Sequence, residues 1–271
     1  MLTIIFISFN SHLIISNCLE KLTNDPAFRI IVVDNCSTDG SAEQIRARFP
    51  TVEVIEQAQN IGYGRAANFV LRETATPYAL LLNPDLTATP ADIRKLLTHA
   101  ENDTCNTAIW GPATRKKDFA DGAPQCVNWV SGSAMLFDVQ KIKRVGYFDE
   151  NIFLFSEDTD LCERTISAGY SILLCRDVFF DHMVGHASTF DPNVEYMKWW
   201  HFGWSQCYRM KKNATCTLYK NPNRKYITYR IHSIISTSRA KRMKWRAKAD
   251  GALAFIRGEK AFKADGNPQM S

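Results

Sequence analysis

Over its first 110 residues the chain alternates short apolar runs with helix-forming stretches, and this alternation constrains its fold more than any other feature. The runs are residues 3–8 (TIIFIS), 29–33 (RIIVV), 51–55 (TVEVI) and 78–82 (YALLL). They are short, rich in β-branched residues and lack strict polar alternation, which predicts strands buried on both faces. Helical patterns lie between them at residues 13–22, 41–48 and 64–74. Ser41, followed three residues on by Gln44, predicts a capping box. A fourth helix opens at Thr89-Pro90-Ala91-Asp92, with Pro at the first helical position and an acid in the first turn. Such alternation predicts an α/β fold around an open, mostly parallel sheet.

In sheets of this kind ligands bind outside the carboxyl ends of the strands. The first strand ends in Ser8-Phe9-Asn10, the second in Asp34-Asn35-Cys36-Ser37-Thr38-Asp39-Gly40, and the fourth in Asn83-Pro84-Asp85. Each cluster alone reads equally well as turn chemistry. Three of them arriving at one edge predict a ligand site. The chain has neither G-x-G-x-x-G nor G-x-x-x-x-G-K-[ST], and its Asn60-Ile61-Gly62-Tyr63-Gly64 turn comes only after the third strand. A dinucleotide-binding domain or a P-loop enzyme is therefore disfavoured, and any phosphates would be handled by a metal held on the acids.

Composition bears on location and organisation. The chain is 45% hydrophobic and 23% charged, enough to bury a core. No apolar run approaches the ~18 residues of a membrane span. The opening run lacks a positive flank and a small-residue cleavage site, so a cytoplasmic chain is expected. Eight cysteines without a C-x-x-C pair predict reduced, mostly buried thiols. Charge divides the chain. Residues 1–198 hold 17 Lys/Arg and 25 Asp/Glu, net −8, whereas residues 199–271 hold 16 and 3, net +13. A catalytic domain over 1–198 and a basic, aromatic-rich helical region over 199–271 are expected.

Six motifs occur in order across residues 1–190. They are Ile31-Val32-Val33-Asp34-Asn35-x-Ser37-x-Asp39-Gly40-Ser41, Asn60-x-Gly62-Tyr63-Gly64-x-x-x-Asn68, and Leu80-Leu81-Leu82-Asn83-Pro84-Asp85. Then come Ser131-Gly132-Ser133-Ala134-Met135-Leu136, Gly146-Tyr147-Phe148-Asp149-Glu150, and Glu157-Asp158-x-Asp160-Leu161-Cys162-x-Arg164. Together they resemble the family 2 glycosyltransferases of the GT-A fold, a Rossmann-like nucleotide-diphospho-sugar transferase fold, and especially the bacterial rhamnosyltransferase-like members. The resemblance implies inverting transfer of a sugar, L-rhamnose from dTDP-rhamnose, from a nucleotide sugar to an acceptor hydroxyl. UDP-hexose or UDP-N-acetylhexosamine transfer is the alternative, and a catalytically silent sugar-nucleotide-binding scaffold is the rival of another class.

The resemblance also distributes roles. Asp85 becomes a ligand of Mg²⁺ or Mn²⁺ beneath the diphosphate, although Asn83 stands where the family usually has a second acid. Asp34 would accept from the imide N–H of uracil or thymine. Ser8, Asn10, Asn35, Asn60, Arg65, Asn68 and Asn83 would complete the nucleotide-sugar site. Asp158 would be the base, while Gly132, Ser133 and Glu157 would lie on the acceptor side. Asp160 and Arg164, four apart, would pair along the helix. In Asp181-His182-Met183-Val184-Gly185-His186, His182 is the better match to a metal-completing histidine and His186 the reserve.

Beyond residue 190, Tyr196, Trp199, Trp200, Gly203, Trp204, Cys207 and Tyr208 recur at helical spacing and form an aromatic face. Ile231, Ile234, Ile235, Trp245, Ala249, Leu253 and Ile256 make a second, intermittent stripe among many Lys/Arg. This predicts peripheral binding to the inner face of an anionic membrane, with Trp and Tyr at the interface, where a lipid-diphosphate-linked saccharide acceptor for cell-surface polysaccharide such as O-antigen would reside. Packing of the aromatic face on the catalytic domain, or between subunits of a homo-oligomer, is the alternative. Nucleic acid is excluded for want of a recognition motif and because the body is acidic.

Overall fold

A computed structural model describes residues 1–182, 191–212 and 221–270. Of these, 1–59, 65–148 and 158–182 form one compact unit, and 60–64, 149–157, 191–212 and 221–270 form a second.

The first unit contains strands β1 (Leu2–Ser8), β2 (Phe28–Asp34), β3 (Glu53–Glu56), β4 (Tyr78–Leu82), β5 (Leu86–Thr87), β6 (Thr107–Ala113), β7 (Gln125–Cys126), β8 (Ala134–Asp138), β9 (Ser171–Phe179) and β10 (Asp181–His182). Its helices are α1 (His12–Leu22), α2 (Ser41–Arg48), α3 (Tyr63–Leu71), α4 (Pro90–Glu101), α5 (Val139–Val145) and α6 (Glu157–Ser167), of which Tyr63, Gly64 and Glu157 at the helix starts fall to the second unit. Eight strands form one sheet in the order β3-β2-β1-β4-β8-β6-β9-β7. The β3–β2, β2–β1, β1–β4 and β6–β9 pairings are parallel, and those involving β8 or β7 are antiparallel. The expected α/β fold with a mostly parallel sheet is therefore present.

All seven residues of β1 are buried. Leu2, Ile4 and Phe6 pack with Ile15, Leu19 and Leu22 of α1 and with Leu80, Leu82, Leu136 and Trp110. Each such side chain stabilises the fold by about 1.5–3 kcal/mol through lost apolar surface. Strand β3 departs from expectation, because both its ends are exposed and its middle is half-buried. It is an edge strand, guarded by Glu53 on Arg29 (2.7 Å) and Glu56 on Arg46 (2.5 Å), charges that discourage pairing with another chain. The expected capping box at Ser41 is also absent. Gly40 occupies the N-cap with φ +75°, and Ser41, now inside the helix, donates its hydroxyl to Asp39 Oδ1 at 2.5 Å. A capping box forms on α4 instead, between Thr89 and Asp92.

The second unit is helical, with α7 (Pro192–Lys212), α8 (Pro222–Ile235) and α9 (Arg239–Ile256). Residue 198, the expected boundary, lies inside α7. Helices α7 and α9 touch through glycine. A Cβ on Gly251 would stand 1.9 Å from the Trp200 carbonyl oxygen, and one on Gly203 would stand 2.1 Å from that of Lys248. Only glycine at both positions permits this backbone approach. The aromatic face of α7 corrects the interfacial reading. Trp200, Trp204 and Cys207 are buried, and Trp204 packs with Phe153, Ala247 and Ala254 in a core of the unit's own. The second stripe belongs to two helices. Trp245 and Ala249 pack inward, whereas Ile231, Ile234 and Ile235 are exposed on α8.

The described cysteines are free, and Cys18, Cys162, Cys175 and Cys207 are buried, as expected. No described helix is long and apolar enough to cross a membrane.

Candidate active site

The carboxyl edge of the sheet is tied together by a series of strand pairings and hydrogen bonds. Ser8 and Asp34 are in register at the ends of β1 and β2, and the Asn35 N–H donates to the Ser8 carbonyl at 2.8 Å. Phe6 of β1 is in register with Leu82 of β4, so these strands leave the sheet at the same edge. The Asn83 N–H donates to the Ser133 carbonyl at 2.8 Å, joining the end of β4 to the loop before β8. From that loop the Gly132 N–H donates to Asp158 Oδ2 at 3.1 Å. Asp34, Asn83-Pro84-Asp85, Gly132-Ser133 and Asp158 therefore share one edge, although 124 positions separate the first from the last in sequence.

The β1 and β2 loops are bound to each other. Asn10, at φ +50°, donates its N–H to Ser37 Oγ at 2.8 Å and accepts from the Thr38 N–H at 2.9 Å. Asp34 is buried, and both its oxygens face Ser37: Oδ1 accepts the hydroxyl at 2.6 Å and Oδ2 the N–H at 2.8 Å. A carboxylate has about four lone-pair sites, so Asp34 keeps capacity for a ligand N–H while its orientation is already set. Buried Ser8 shares a hydroxyl contact of 2.8 Å with Ser11.

Asp85 is 7% exposed and lies within a turn closed by the Leu86 N–H on the Asn83 carbonyl at 3.2 Å. The next residue, Leu86, pairs with His182 across the small β5–β10 ladder. The backbones of Asp85 and His182, the two residues expected to hold a cation, are thus neighbours, while His186 lies outside the described residues. Among the described residues no three His, Cys, Asp or Glu side chains cluster as a ready metal cage. The buried carboxylate of Asp85 still fits a cation that takes its remaining oxygens from substrate phosphate and water.

Asp158 accepts from four donors. Besides Gly132, Oδ2 accepts from Trp129 Nε1 at 3.1 Å, and Oδ1 accepts from the Thr159 N–H at 2.7 Å and its hydroxyl at 3.2 Å. The chain enters α6 through Phe155 and Ser156, both at positive φ (65° and 68°), a strained entry for non-glycine residues. Trp129 was not singled out from the sequence. It is 43% exposed beside Asp158, and only the fold brings the two together across 29 positions.

Several expected site residues serve as supports. Asn68 is fully buried and spends both amide ends on Phe148, donating to its carbonyl and accepting its N–H, each at 2.9 Å. The structure therefore places it in the interior and not at the ligand edge. Asp160 pairs with Arg164 at 2.7 Å, as the four-residue spacing predicts. Arg164 also donates to the carbonyls of Val145 (2.9 Å) and Tyr147 (2.5 Å), so the Gly146-Tyr147 turn is fixed to the helix that carries Asp158. Arg65 lies on α3 of the same unit. Asn60 and Glu157 belong to segments of the second unit and are not part of the linked series. Asn60 Oδ1 accepts from the Gly62 N–H at 3.1 Å, and Glu157 is buried.

The sequence profile described as glycosyl transferase family 2 matches residues 3–159. An N-acetylglucosaminyl-diphospho-decaprenol L-rhamnosyltransferase of Mycobacterium tuberculosis is 24% identical over 221 residues, covering 64% of this chain and 72% of that protein. A low-salt glycan biosynthesis hexosyltransferase of Haloferax volcanii is 23% identical over 209 residues, 65% of each. Among solved structures, a mannosyltransferase from Pyrobaculum calidifontis in complex with GDP-Man and Mn²⁺ superposes with a TM-score of 0.64 at 14% identity, covering 94% of this chain and 86% of that one. S. aureus TarS 1–349 in complex with UDP-GlcNAc gives 0.52 at 15% identity, covering 100% and 97%.

Proposed function

The chain belongs to glycosyl transferase family 2, and from that premise we propose that it is an inverting transferase that moves a sugar from a nucleotide sugar to a lipid-linked saccharide. The observation that carries this reading is the linked edge, which gathers Asp34, Asp85 and Asp158 on one side of the sheet. The donor is dTDP-L-rhamnose, and the acceptor is a saccharide on a lipid diphosphate. The L-rhamnosyl group and the lipid-diphosphate acceptor follow the name of the rhamnosyltransferase relative, and the dTDP carrier follows the motif resemblance alone. UDP-hexose and UDP-N-acetylhexosamine are the alternative donors, supported by the hexosyltransferase relative and the UDP-GlcNAc-bound neighbour.

In the proposed reaction the acceptor hydroxyl attacks the anomeric carbon on the face opposite the diphosphate. Asp158 takes the hydroxyl proton, the new C–O bond forms, and the bond to the phosphate oxygen breaks with its electron pair. Asp34 and Ser8 hold the nucleotide end. Asp85 and His182 would hold Mg²⁺ or Mn²⁺, which when bound offsets the charge growing on the leaving diphosphate. Four donors keep Asp158 aimed, so orientation is prepared before substrate arrives.

Peripheral attachment to an anionic membrane belongs to the same proposal. Its support has moved from the aromatic face of α7 to α8. There Ile227, Ile231, Ile234 and Ile235 are 51–73% exposed, on the side opposite buried Tyr229 and Ser233. Residues 222–246 hold eight Lys/Arg and no acid, so a second copy of this face would repel it and an anionic lipid surface would attract it.

The test is release of nucleoside diphosphate from a panel of nucleotide sugars, with and without Mn²⁺ and a lipid-diphosphate saccharide. Acceptor-dependent release from one donor is expected. Donor binding with no release under any condition would favour a silent sugar-nucleotide-binding module.

A further inference from the structure

The helical unit gathers charges that the transfer reaction does not use. Lys248 on α9 is 6% exposed. Its Nζ lies 3.7 Å from the ring centre of Phe202, 4.8 Å from those of Trp199 and Trp245, and 5.8 Å from that of Tyr229. Lys244, one turn earlier, holds its Nζ 3.8 Å over Trp199, and Lys225 of α8 lies 5.8 Å from the ring of Tyr229. Three ammonium groups thus surround one set of aromatic rings.

Among the described residues none of the three forms an ion pair with a carboxylate. Asp250, two residues along α9, is already engaged by the Tyr196 hydroxyl at 2.5 Å and by Arg246 at 3.8 Å. Ring faces attract a desolvated ammonium by about 2 kcal/mol, which offsets only part of the several kcal/mol that burial of an ion costs. They do nothing against the mutual repulsion of three like charges. Burial, with Lys244 and Lys225 nearby, pulls Lys248 down to about 8, so it stays mostly charged at neutral pH without a counter-ion.

A compact anion of more than one charge answers this arrangement. A carboxylate brings one charge, whereas a phosphate monoester brings about −1.5 to −2 and three acceptor oxygens. We propose that Lys225, Lys244 and Lys248 form a phosphate-binding site walled by Trp199, Phe202, Tyr229 and Trp245, which takes a phosphate monoester or a diphosphate. All seven of these residues belong to the second unit, and none is among those the proposed transfer reaction uses. Its phosphate could come from a lipid headgroup or from solution.

Trp199 and Trp245 line the site, so tryptophan emission of the full chain reports its occupancy. One arm titrates inorganic phosphate and pyrophosphate at constant ionic strength set with sodium chloride. A second titrates vesicles of phosphatidic acid in phosphatidylcholine. A saturable change is expected in at least one arm. Lys248→Met should weaken it by roughly tenfold or more, Lys248→Arg should retain it, and sodium chloride alone should not reproduce it. Response in the soluble arm assigns free phosphate, and response confined to vesicles assigns a headgroup. Lys241→Glu, outside the ring set, should lower only the vesicle arm. Circular dichroism checks folding, and if Lys248→Met is misfolded, Lys244→Met carries the comparison. Equal responses from wild type and the folded Met variant, or no saturable response in either arm, would overturn the proposal.

Discussion

Gly132→Ala is a one-carbon test of how Asp158 is held. A Cβ built on Gly132 stands 2.9 Å from Asp158 Cβ and 3.3 Å from its Cγ and Oδ2. Unstrained carbon contacts begin near ~3.5 Å, so the two groups must separate by about 0.6 Å or more. Asp158 cannot yield by a slide of the helix start, because Asp160 is held by Arg164, which also grips the Val145 and Tyr147 carbonyls. The carboxylate must therefore rotate or the 131–133 loop must lift, and either movement breaks the Gly132 N–H bond to Oδ2. Misplacing a reacting group by ~1 Å costs about 10²-fold in rate. Overpacking costs about 1–3 kcal/mol, a fall of several degrees in Tm for a chain of this size. Where the carboxylate rotates, Asp34 and Asp85 are not displaced, so donor affinity should stay within about threefold, a change of under ~1 kcal/mol; a lifted loop would instead also pull on Asn83 through the Ser133 carbonyl. Initial rates of nucleoside diphosphate release, with donor affinity from calorimetry, measure both quantities. Wild-type kcat in a folded Gly132→Ala protein would refute the claim that this contact positions the base.

Three further outcomes are expected. Asp85→Ala, and excess chelator on the wild type, should each abolish transfer; full activity in chelator would leave Asp85 a turn residue. His201 is fully buried, its ring nitrogen 3.0 Å from the Gln269 carbonyl, and burial lowers its pKa to about 4 from an ordinary 6.5. The unfolded chain therefore takes up the proton first, and stability should fall by up to about 3 kcal/mol between pH 6.5 and 4. Thermal melts of His201→Gln should lose that slope, and an unchanged slope would assign acid sensitivity to other groups. Charge reversal at Lys241 and Arg242, or Ile231→Asn with Ile235→Asn, should each weaken binding to anionic vesicles by roughly tenfold or more, at ~1 kcal/mol per basic residue and ~2 kcal/mol per inserted side chain. Binding indifferent to both changes and to salt would remove the membrane from the account.

What could be read from the sequence was whatever local chemistry decides. Strands β1 and β2 are apolar, β-branched runs and β4 an apolar, leucine-rich one, all suited to a core, and each delivers its polar end to one edge because parallel strands share a direction. Strand β3 carries a similar run, and the local signal of its edge position is the pair of acids, Glu53 and Glu56, that interrupt and end it. That the segments of Asp85 and Asp158 meet at this edge is shown by the fold, whereas their motifs supply only the expected roles. Trp129 was not legible, since it meets Asp158 through a contact 29 positions apart that leaves no trace in spacing. Asn68 looked like a ligand contact because a buried amide pinning a distant backbone has the same residue type as one facing substrate. Helical period correctly grouped the aromatic residues of α7. Period reports only that a face is shared, and here the glycines of α7 and α9 draw the two backbones together and turn that face inward. The isoleucines of α8 were legible as apolar and not as exposed.

The central claim, that Asp158 removes the acceptor proton in a single displacement, is tested most directly by Asp158→Asn, which keeps shape and removes the base. Donor affinity and acceptor-dependent turnover should be measured on the same preparation, with the anomeric configuration of the wild-type product read by NMR. The account predicts unchanged donor affinity, turnover reduced by about 10²–10⁴-fold, and a product inverted relative to the donor. Near-normal turnover in the variant, or a product of retained configuration, would contradict it.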